Sequence, residues 1–142
     1  MLEAKKFETG SLKLEARTLR KNVIKTYRDL EIYKLSYQLA IEIFSITKKF
    51  PKDEMYSLSS QIRNSSRSVP SNIAEGWSKR RYENIFKRHL TDAIGSVDET
   101  IVWLDFSLDF QYIDKPTHER LVSKYNEVGK MIYKLTETWK TY

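Results

Sequence analysis

The fold follows from residues 86–108, FKRHLTDAIGSVDETIVWLDFSL, in which apolar side chains recur every three or four positions. Within a segment of residues 82–111, the recurring residues are Phe86, Leu90, Ala93, Val97, Ile101, Leu104 and Leu108. This spacing places them along one side of an α-helix. A pattern of this length predicts a single long helix with one continuous buried stripe.

Three further segments have the same periodicity. The first has Asp29 as a candidate cap and ends before Pro51, because the residue preceding a proline avoids helical angles. The second covers residues 53–78, and Pro70 inside it predicts a kink near residues 66–69. The last covers residues 116–140, with Asp114 as its cap and Pro116 in a first turn that tolerates proline.

Four helices joined by short connections predict an all-α fold, an antiparallel up-down four-helix bundle with a kinked second helix. The chain has 142 residues, a length typical of one domain. We assign residues 28–142 to the bundle and residues 1–27 to a basic N-terminal extension. The pattern of the extension fits a short helix, a hairpin or a flexible arm, and these alternatives stay open.

The composition excludes several classes of chemistry. The chain has no cysteine and only two histidines, so disulfides, thiolate metal sites and cysteine nucleophiles are excluded. Neither histidine lies in a Glu-x-x-His pair, and the four glycines are isolated rather than grouped in a phosphate loop. We therefore predict no enzyme, no cofactor and no metal. A metal-dependent nuclease using Asp98 and Asp105 is the disfavoured alternative.

No membrane-spanning apolar run and no signal peptide are visible, so the predicted location is cytoplasmic and no membrane partner is expected.

The charge is unevenly distributed along the chain. Its net value is +6, with a pI near 9.4, which favours an anionic partner. Residues 60–90 contain seven basic and two acidic residues, a net +5, whereas residues 91–114 contain six acidic residues and no basic one. A single charge of this kind usually belongs to a solvated face, but the cluster predicts contact with nucleic acid phosphates or with an acidic partner. The candidate binding residues are Arg63, Arg67, Lys79, Arg80, Arg81, Lys87 and Arg88, helped by Arg17, Arg20 and Lys21 of the extension.

Small and aromatic residues carry further expectations. The serines between positions 57 and 71 are expected to serve close helix packing and backbone hydrogen bonding. Gly95 and Gly129 lie inside predicted helices, where glycine is unfavourable, so we expect a close helix approach or a subunit contact at each. Trp77, Tyr82 and Phe86 adjoin the basic cluster and could stack on unpaired bases, although core filling is the favoured role.

Residues 56–76, YSLSSQIRNSSRSVPSNIAEG, resemble the signature of small bacterial four-helix bundle proteins encoded by intervening sequences in large-subunit (23S) ribosomal RNA genes. The similarity covers about residues 28–137, with the Ser-x-Pro-Ser-Asn-Ile-Ala-Glu-Gly motif at its centre. Two mild departures are Ser57, where the family usually has glycine, and Asn64, in a segment usually richer in arginine.

The resemblance implies a homo-oligomeric ring, a homopentamer, with a basic surface that binds nucleic acid, RNA in preference to DNA. Accessory variability determinant proteins of diversity-generating retroelements are related to this family, and they bind a reverse transcriptase and its template RNA. The main hypothesis is therefore a non-catalytic RNA-binding ring. The alternative is an adaptor subunit whose partner is a reverse transcriptase.

Overall fold

The structure, a computed structural model, describes residues 24–141. Within them lie four α-helices and no strand: α1 (Glu31–Thr47), α2 (Leu58–Ser78), α3 (Glu83–Asp109) and α4 (Lys115–Thr138). The predicted all-helical class with four helices is confirmed. Residues 1–23, most of the predicted extension, lie outside the described part, so its helix, hairpin and arm alternatives stay predictions.

The start of the first helix differs from its prediction. The carboxylate of Asp29 accepts hydrogen bonds from the backbone N–H groups of Lys25 at 2.8 Å and Thr26 at 3.1 Å. It therefore caps a short 3-10 turn, Tyr27–Asp29, and does not cap α1. Leu30 precedes α1 and offers no side-chain cap. The carboxylate predicted to cap α1 thus accepts hydrogen bonds in the turn that precedes this helix.

The second helix begins later than the predicted residue 53, because Lys52–Glu54 forms a separate 3-10 turn. Glu54 then supplies an acceptor to the helix, since its Oε1 receives the backbone N–H of Leu58 at 3.2 Å. The expected cap of the last helix is confirmed, with Asp114 Oδ1 accepting from the backbone N–H of Thr117 at 2.9 Å.

The core lies where the helical stripes meet. α2 packs against both α1 and α3, and α4 packs against the same two helices. Five stripe residues of α3 are at most 1% exposed: Phe86, Leu90, Ala93, Val97 and Leu104. Burying the four larger side chains among them contributes about 1.5–3 kcal/mol each. The antiparallel order and a kink at Pro70 stay predictions. In the described part of the chain, no helix is long and apolar enough to cross a membrane.

Hydroxyl groups fill the centre of the contact between α2 and α3. Thr100 donates a hydrogen bond to Ser65 Oγ at 2.8 Å, and Ser96 donates to Ser68 Oγ at 2.9 Å. We call these four residues the hydroxyl seam. Their side chains are small, so the helices approach closely, and each hydroxyl has a partner, as buried polar groups require. The serines of α2 thus have the packing role expected from sequence.

The helices α2 and α3 approach each other closely at Gly76. A Cβ atom there would lie 2.8 Å from the Cβ of His89 on α3, so a larger residue would push the helices apart. The predicted close approach at Gly95 and Gly129 is wrong within the chain. A Cβ at Gly95 would meet nothing within 4 Å, and one at Gly129 would make an ordinary contact at 3.5 Å. A subunit contact at these two glycines stays a prediction.

Candidate nucleic-acid interface

The centre of the predicted cluster is the connection between α2 and α3, formed by Lys79, Arg80 and Arg81, which we call the basic turn. All three residues are exposed. The backbone is fixed by hydrogen bonds from Lys79 N to Gly76 O at 2.9 Å and from Tyr82 N to Lys79 O at 2.9 Å. The turn therefore presents three consecutive cations from an ordered backbone.

Arg80 is held by the residue at the end of α2. Its guanidinium carbon lies 4.2 Å from the centre of the Trp77 ring, and its Nη1 donates to the Trp77 carbonyl oxygen at 2.9 Å. Stacking on an aromatic face leaves the other N–H groups of the planar guanidinium free for an anion. Arg81 lies over the neighbouring Tyr82 ring at 5.3 Å.

Residues 139–141 lie against the basic turn. The hydroxyl of Thr141 donates to the carbonyl oxygen of Arg80 at 2.8 Å, and its backbone N–H donates to Glu83 Oε1 at 3.3 Å. The Trp139 indole N–H donates in turn to Thr141 Oγ1 at 2.9 Å. These contacts join the segment that follows α4 to the connection between α2 and α3.

A shallow groove of about 440 Å³ lies between these two segments. It is lined by Ser78, Arg80, Arg81, Trp139, Lys140 and Thr141. Lys140 was absent from the predicted site, because nothing in its local sequence distinguishes it from other exposed lysines. Only the folding of the chain brings its positive charge beside the two arginines.

Aromatic side chains support the groove from below. Trp77, Phe86 and Trp139 pack edge to face, with ring centres 4.9–6.1 Å apart. Trp77 is 6% exposed and Phe86 is fully buried, so both fill the core and are not available to stack on bases. Tyr82 is 55% exposed. It is the one of the three predicted stacking candidates that faces solvent.

The remaining cations of this region differ in how free they are. Lys79 forms an ion pair with Glu75 at 3.3 Å, and Lys87 forms one with Glu83 at 3.0 Å. The Lys87 ammonium and the Thr141 backbone N–H hold the pKa of Glu83 below its ordinary value. Arg88 is exposed on α3, next to Lys87 in sequence. The acids partly neutralise the two lysines, so the arginines carry most of the available charge.

Arg63 and Arg67 belong to another part of α2. Arg67 is twelve positions before Lys79, which corresponds to about 18 Å along a helix. Arg63 donates from Nε to Thr47 Oγ1 at 2.7 Å and lies over the Phe44 ring at 4.6 Å, so it bridges α2 to α1. Arg67 donates from Nη2 to Asn64 Oδ1 at 3.1 Å. The structure does not bring this pair to the basic turn.

Arg17, Arg20 and Lys21 lie outside the described residues. Among residues 24–141, no three His, Asp or Glu side chains are grouped closely enough to hold a metal ion.

Comparisons with known proteins agree with this architecture. A family model described as "23S rRNA-intervening sequence protein" matches residues 28–134. A similar solved structure is a protein of unknown function from the S23 ribosomal protein family of Bacteroides thetaiotaomicron VPI-5482. Its TM-score is 0.69 and its identity 23%, and the alignment covers 75% of this chain and 96% of that chain. At this identity the similarity shows the fold alone. No curated protein matches the chain.

Proposed function

The chain belongs to the 23S rRNA-intervening sequence protein family, and from the groove beside its basic turn we propose that it is a non-catalytic RNA-binding protein that works as a homo-oligomeric ring. The observation that carries the proposal is the convergence of Arg80, Arg81 and Lys140 on one groove. Three cations around a shallow exposed groove suit a phosphate backbone, which also needs little depth.

The contacts of Arg80 favour phosphate over a simple surface role. Its guanidinium is stacked on Trp77 and bonded through one nitrogen, so its orientation is set before a ligand arrives. A planar guanidinium offers paired N–H donors that match two phosphate oxygens. Pre-organisation of this kind lowers the entropy lost on binding. Tyr82, exposed beside Arg81, could stack on an unpaired base.

Basic and acidic residues are separated along the chain around the groove. The net +5 of residues 60–90 contrasts with six acids and no base in residues 91–114. Phosphates are therefore attracted to the start of α3 and repelled from its second half. The choice of RNA over DNA rests on the family description, which names an rRNA. Contacts to phosphate carry little sequence information, so the binding should be weakly sequence-specific.

The test is a fluorescence polarisation titration with labelled single-stranded RNA at several salt concentrations. We expect the triple variant Arg80→Glu, Arg81→Glu, Arg88→Glu to lose most of its affinity. The slope of log K against log salt should decrease in magnitude by about 2. Each phosphate contact to a single strand contributes about 0.7 to this slope, and the variant removes three such contacts. The matched control is Lys124→Glu, Lys130→Glu, Lys134→Glu, which changes the net charge equally on exposed positions of α4.

Equal losses in the two triple variants would mean that only the net charge matters, and they would overturn the assigned groove. No loss in either variant would overturn RNA binding through phosphates. Light scattering tests the ring separately. A mass near five times the 16.9 kDa of one chain is expected for a pentamer, and the mass of a single chain would reject the ring.

The adaptor alternative concerns residues 1–27, most of which lie outside the described part of the chain. It stays a prediction, with a reverse transcriptase as the partner and nucleic acid held jointly. Deleting residues 1–27 should abolish co-purification with such a partner and leave the oligomer intact. Retained co-purification would count against it.

A further inference from the structure

A wide apolar groove runs between α1 and α2, and it shares no lining residue with the groove beside the basic turn. Its volume is about 710 Å³. We call it the α1–α2 groove, and its lining consists of Tyr27, Tyr33, Tyr37, Ala40, Ile41, Phe44, Arg67, Pro70, Ser71, Ala74 and Glu75. Three of the α1 residues are large, apolar and nearly half exposed: Tyr37 at 49%, Ile41 at 48% and Phe44 at 44%. Exposed apolar surface of this size usually marks an interaction site.

A second apolar surface lies on the outer side of α3 and continues onto its C-cap residue, Phe110. Val102, Phe106 and Phe110 follow each other at intervals of four residues and are 47%, 44% and 50% exposed. The rings of Phe106 and Phe110 lie 5.6 Å apart, so the side chains form one continuous strip. We call this strip the α3 ridge. A convex row of large side chains is the shape that a groove between two helices accepts.

The charges beside the two surfaces are opposite. Asp98, Asp105 and Asp109 lie on the same helix as the α3 ridge, at spacings of seven and four, and form an acidic row along its edge. All three are exposed. Asp105 also contacts the ring nitrogen Nε2 of His118 at 2.7 Å.

Basic side chains border the α1–α2 groove at Phe44. The guanidinium of Arg63 and the ammonium of Lys48 lie 4.6 Å and 4.9 Å from the centre of the Phe44 ring. Arg67 lines the groove itself. The single acid in the lining, Glu75, is paired with Lys79 at the other end of α2. Groove and ridge are therefore both apolar and carry opposite charges at their borders.

We propose that the α3 ridge of one copy docks into the α1–α2 groove of a second copy of this chain. This pairing rests on the homo-oligomer of the proposed function and names its contact surfaces. Because the two surfaces differ, each copy keeps a free ridge and a free groove after one contact, and the association continues head to tail until it closes. Ridge-to-ridge pairing is disfavoured, since it would place one acidic row against another.

The acidic row also disfavours anionic occupants. Nucleic acid and anionic lipid surfaces are repelled by the three aspartates that border the ridge. A second copy presents both required properties, an apolar surface and the opposite charge. Docking would remove the exposed aromatic residues of both surfaces from water, which is the main driving force of association.

The experiment uses two variants that each damage one surface. Ile41→Glu places a charge in the groove, and Phe106→Glu places one on the ridge. Both residues are about half exposed, so we expect both variants to fold, as checked by helical circular dichroism. Light scattering should give the mass of a single chain for each variant alone. An equimolar mixture should give twice that mass, because one intact groove and one intact ridge remain.

Tyr133→Glu is the control, since Tyr133 is a 56% exposed aromatic residue on α4, outside both surfaces. It should keep the wild-type mass. If a glutamate variant unfolds, Ile41→Ser and Phe106→Ser replace the pair. If either the Ile41 variant or the Phe106 variant kept the wild-type mass, the proposed pairing would be overturned, and the ring itself would not.

The pairing would also be overturned if both variants had the mass of a single chain but formed no dimer when mixed. The contacts would then join groove to groove and ridge to ridge. A wild-type protein with the mass of a single chain would overturn both pairing and ring. RNA polarisation on the same samples separates these results from the proposed RNA binding, because Ile41 and Phe106 are outside the basic turn.

Discussion

The hydroxyl of Thr141 donates a 2.8 Å hydrogen bond to the carbonyl oxygen of Arg80, although the two residues are 61 positions apart in sequence. The bond fixes the backbone of the basic turn from outside. Because the backbone of the turn is held in place, the side chains of Arg80 and Arg81 start from fixed positions. They therefore lose less conformational entropy when an anion binds.

We expect Thr141→Val to weaken RNA binding about two- to fivefold, because the turn then loses about 0.5–1 kcal/mol of pre-organisation. The control is Thr138→Val, whose lost hydroxyl donates only within α4, to Lys134 O at 3.0 Å. Polarisation titrations compare the three proteins. Equal affinities for wild type and Thr141→Val would show that the bond does not order the turn.

Gly76 and Gly95 should respond in opposite directions to alanine. Gly76→Ala places a Cβ 2.8 Å from the Cβ of His89, so α2 and α3 must separate, at a cost of about 1–3 kcal/mol. Gly95→Ala meets nothing within 4 Å and should stabilise α3 by about 1 kcal/mol through helix propensity. Urea unfolding measures both changes. A loss at Gly95 accompanied by a smaller oligomer mass would instead indicate a subunit contact there.

Tyr125 has a buried hydroxyl without a hydrogen-bond partner among the described residues. The side chain is 0% exposed, and burial raises the pKa of this tyrosine well above its ordinary value. Removing the unpaired group in Tyr125→Phe should increase the free energy of unfolding by about 1 kcal/mol. Tyr133→Phe, at an exposed position, is the control and should change little. A clear loss of stability in Tyr125→Phe would show that the hydroxyl is satisfied in solution.

Glu54 should make the stability depend on pH in the acidic range. The Tyr112 hydroxyl, which donates to Glu54 Oε2 at 2.7 Å, and the Leu58 N–H hold the pKa of Glu54 below its ordinary value of 4.5. A lowered folded-state pKa contributes stability above the unfolded value, and this contribution is lost as the pH falls through the folded value.

We therefore expect Tyr112→Phe to unfold at a lower temperature than wild type at neutral pH, with a difference that shrinks below pH 4.5. Titration of the Glu54 carboxyl carbon by NMR should show its pKa moving upward in the variant. An unchanged pKa would mean that the Tyr112 contact does not act on the carboxylate.

The fold was largely predictable because its pattern is long and regular. Phe86, Leu90 and Val97 were assigned to the core from spacing alone, and all three are buried. The positions of helix starts were predicted less reliably. Asp29 has the chemistry of a helix cap, but its carboxylate meets a nearer set of backbone donors in a 3-10 turn. Whether Asp29 caps α1 or the 3-10 turn depends on how the chain packs, and the local sequence does not determine this.

The candidate interface was predictable only in part. The run Lys79-Arg80-Arg81 is visible in sequence, but Lys140 reaches the same groove through tertiary structure. Arg63 could not be separated from that run by composition, and in the structure it bridges two helices at Thr47. Contacts between residues far apart in sequence leave no local signal, and the Glu54–Tyr112 bond is another case.

The hydroxyl seam has a consequence for assembly. Apolar side chains pack at many relative heights, but its O–H···O bonds form at only one. Sliding α3 by a single residue, about 1.5 Å, would break both pairs. Thr100 would keep its bond to Ser96 O and Ser65 its bond to Ile62 O, so the cost is about 0.5–1.5 kcal/mol for each lost bond. The seam thus sets the axial offset between a groove built on α2 and a ridge built on α3. In a head-to-tail assembly whose axis runs along the helices, that offset contributes to the rise per subunit, which decides whether successive copies close into a ring or continue as an open filament.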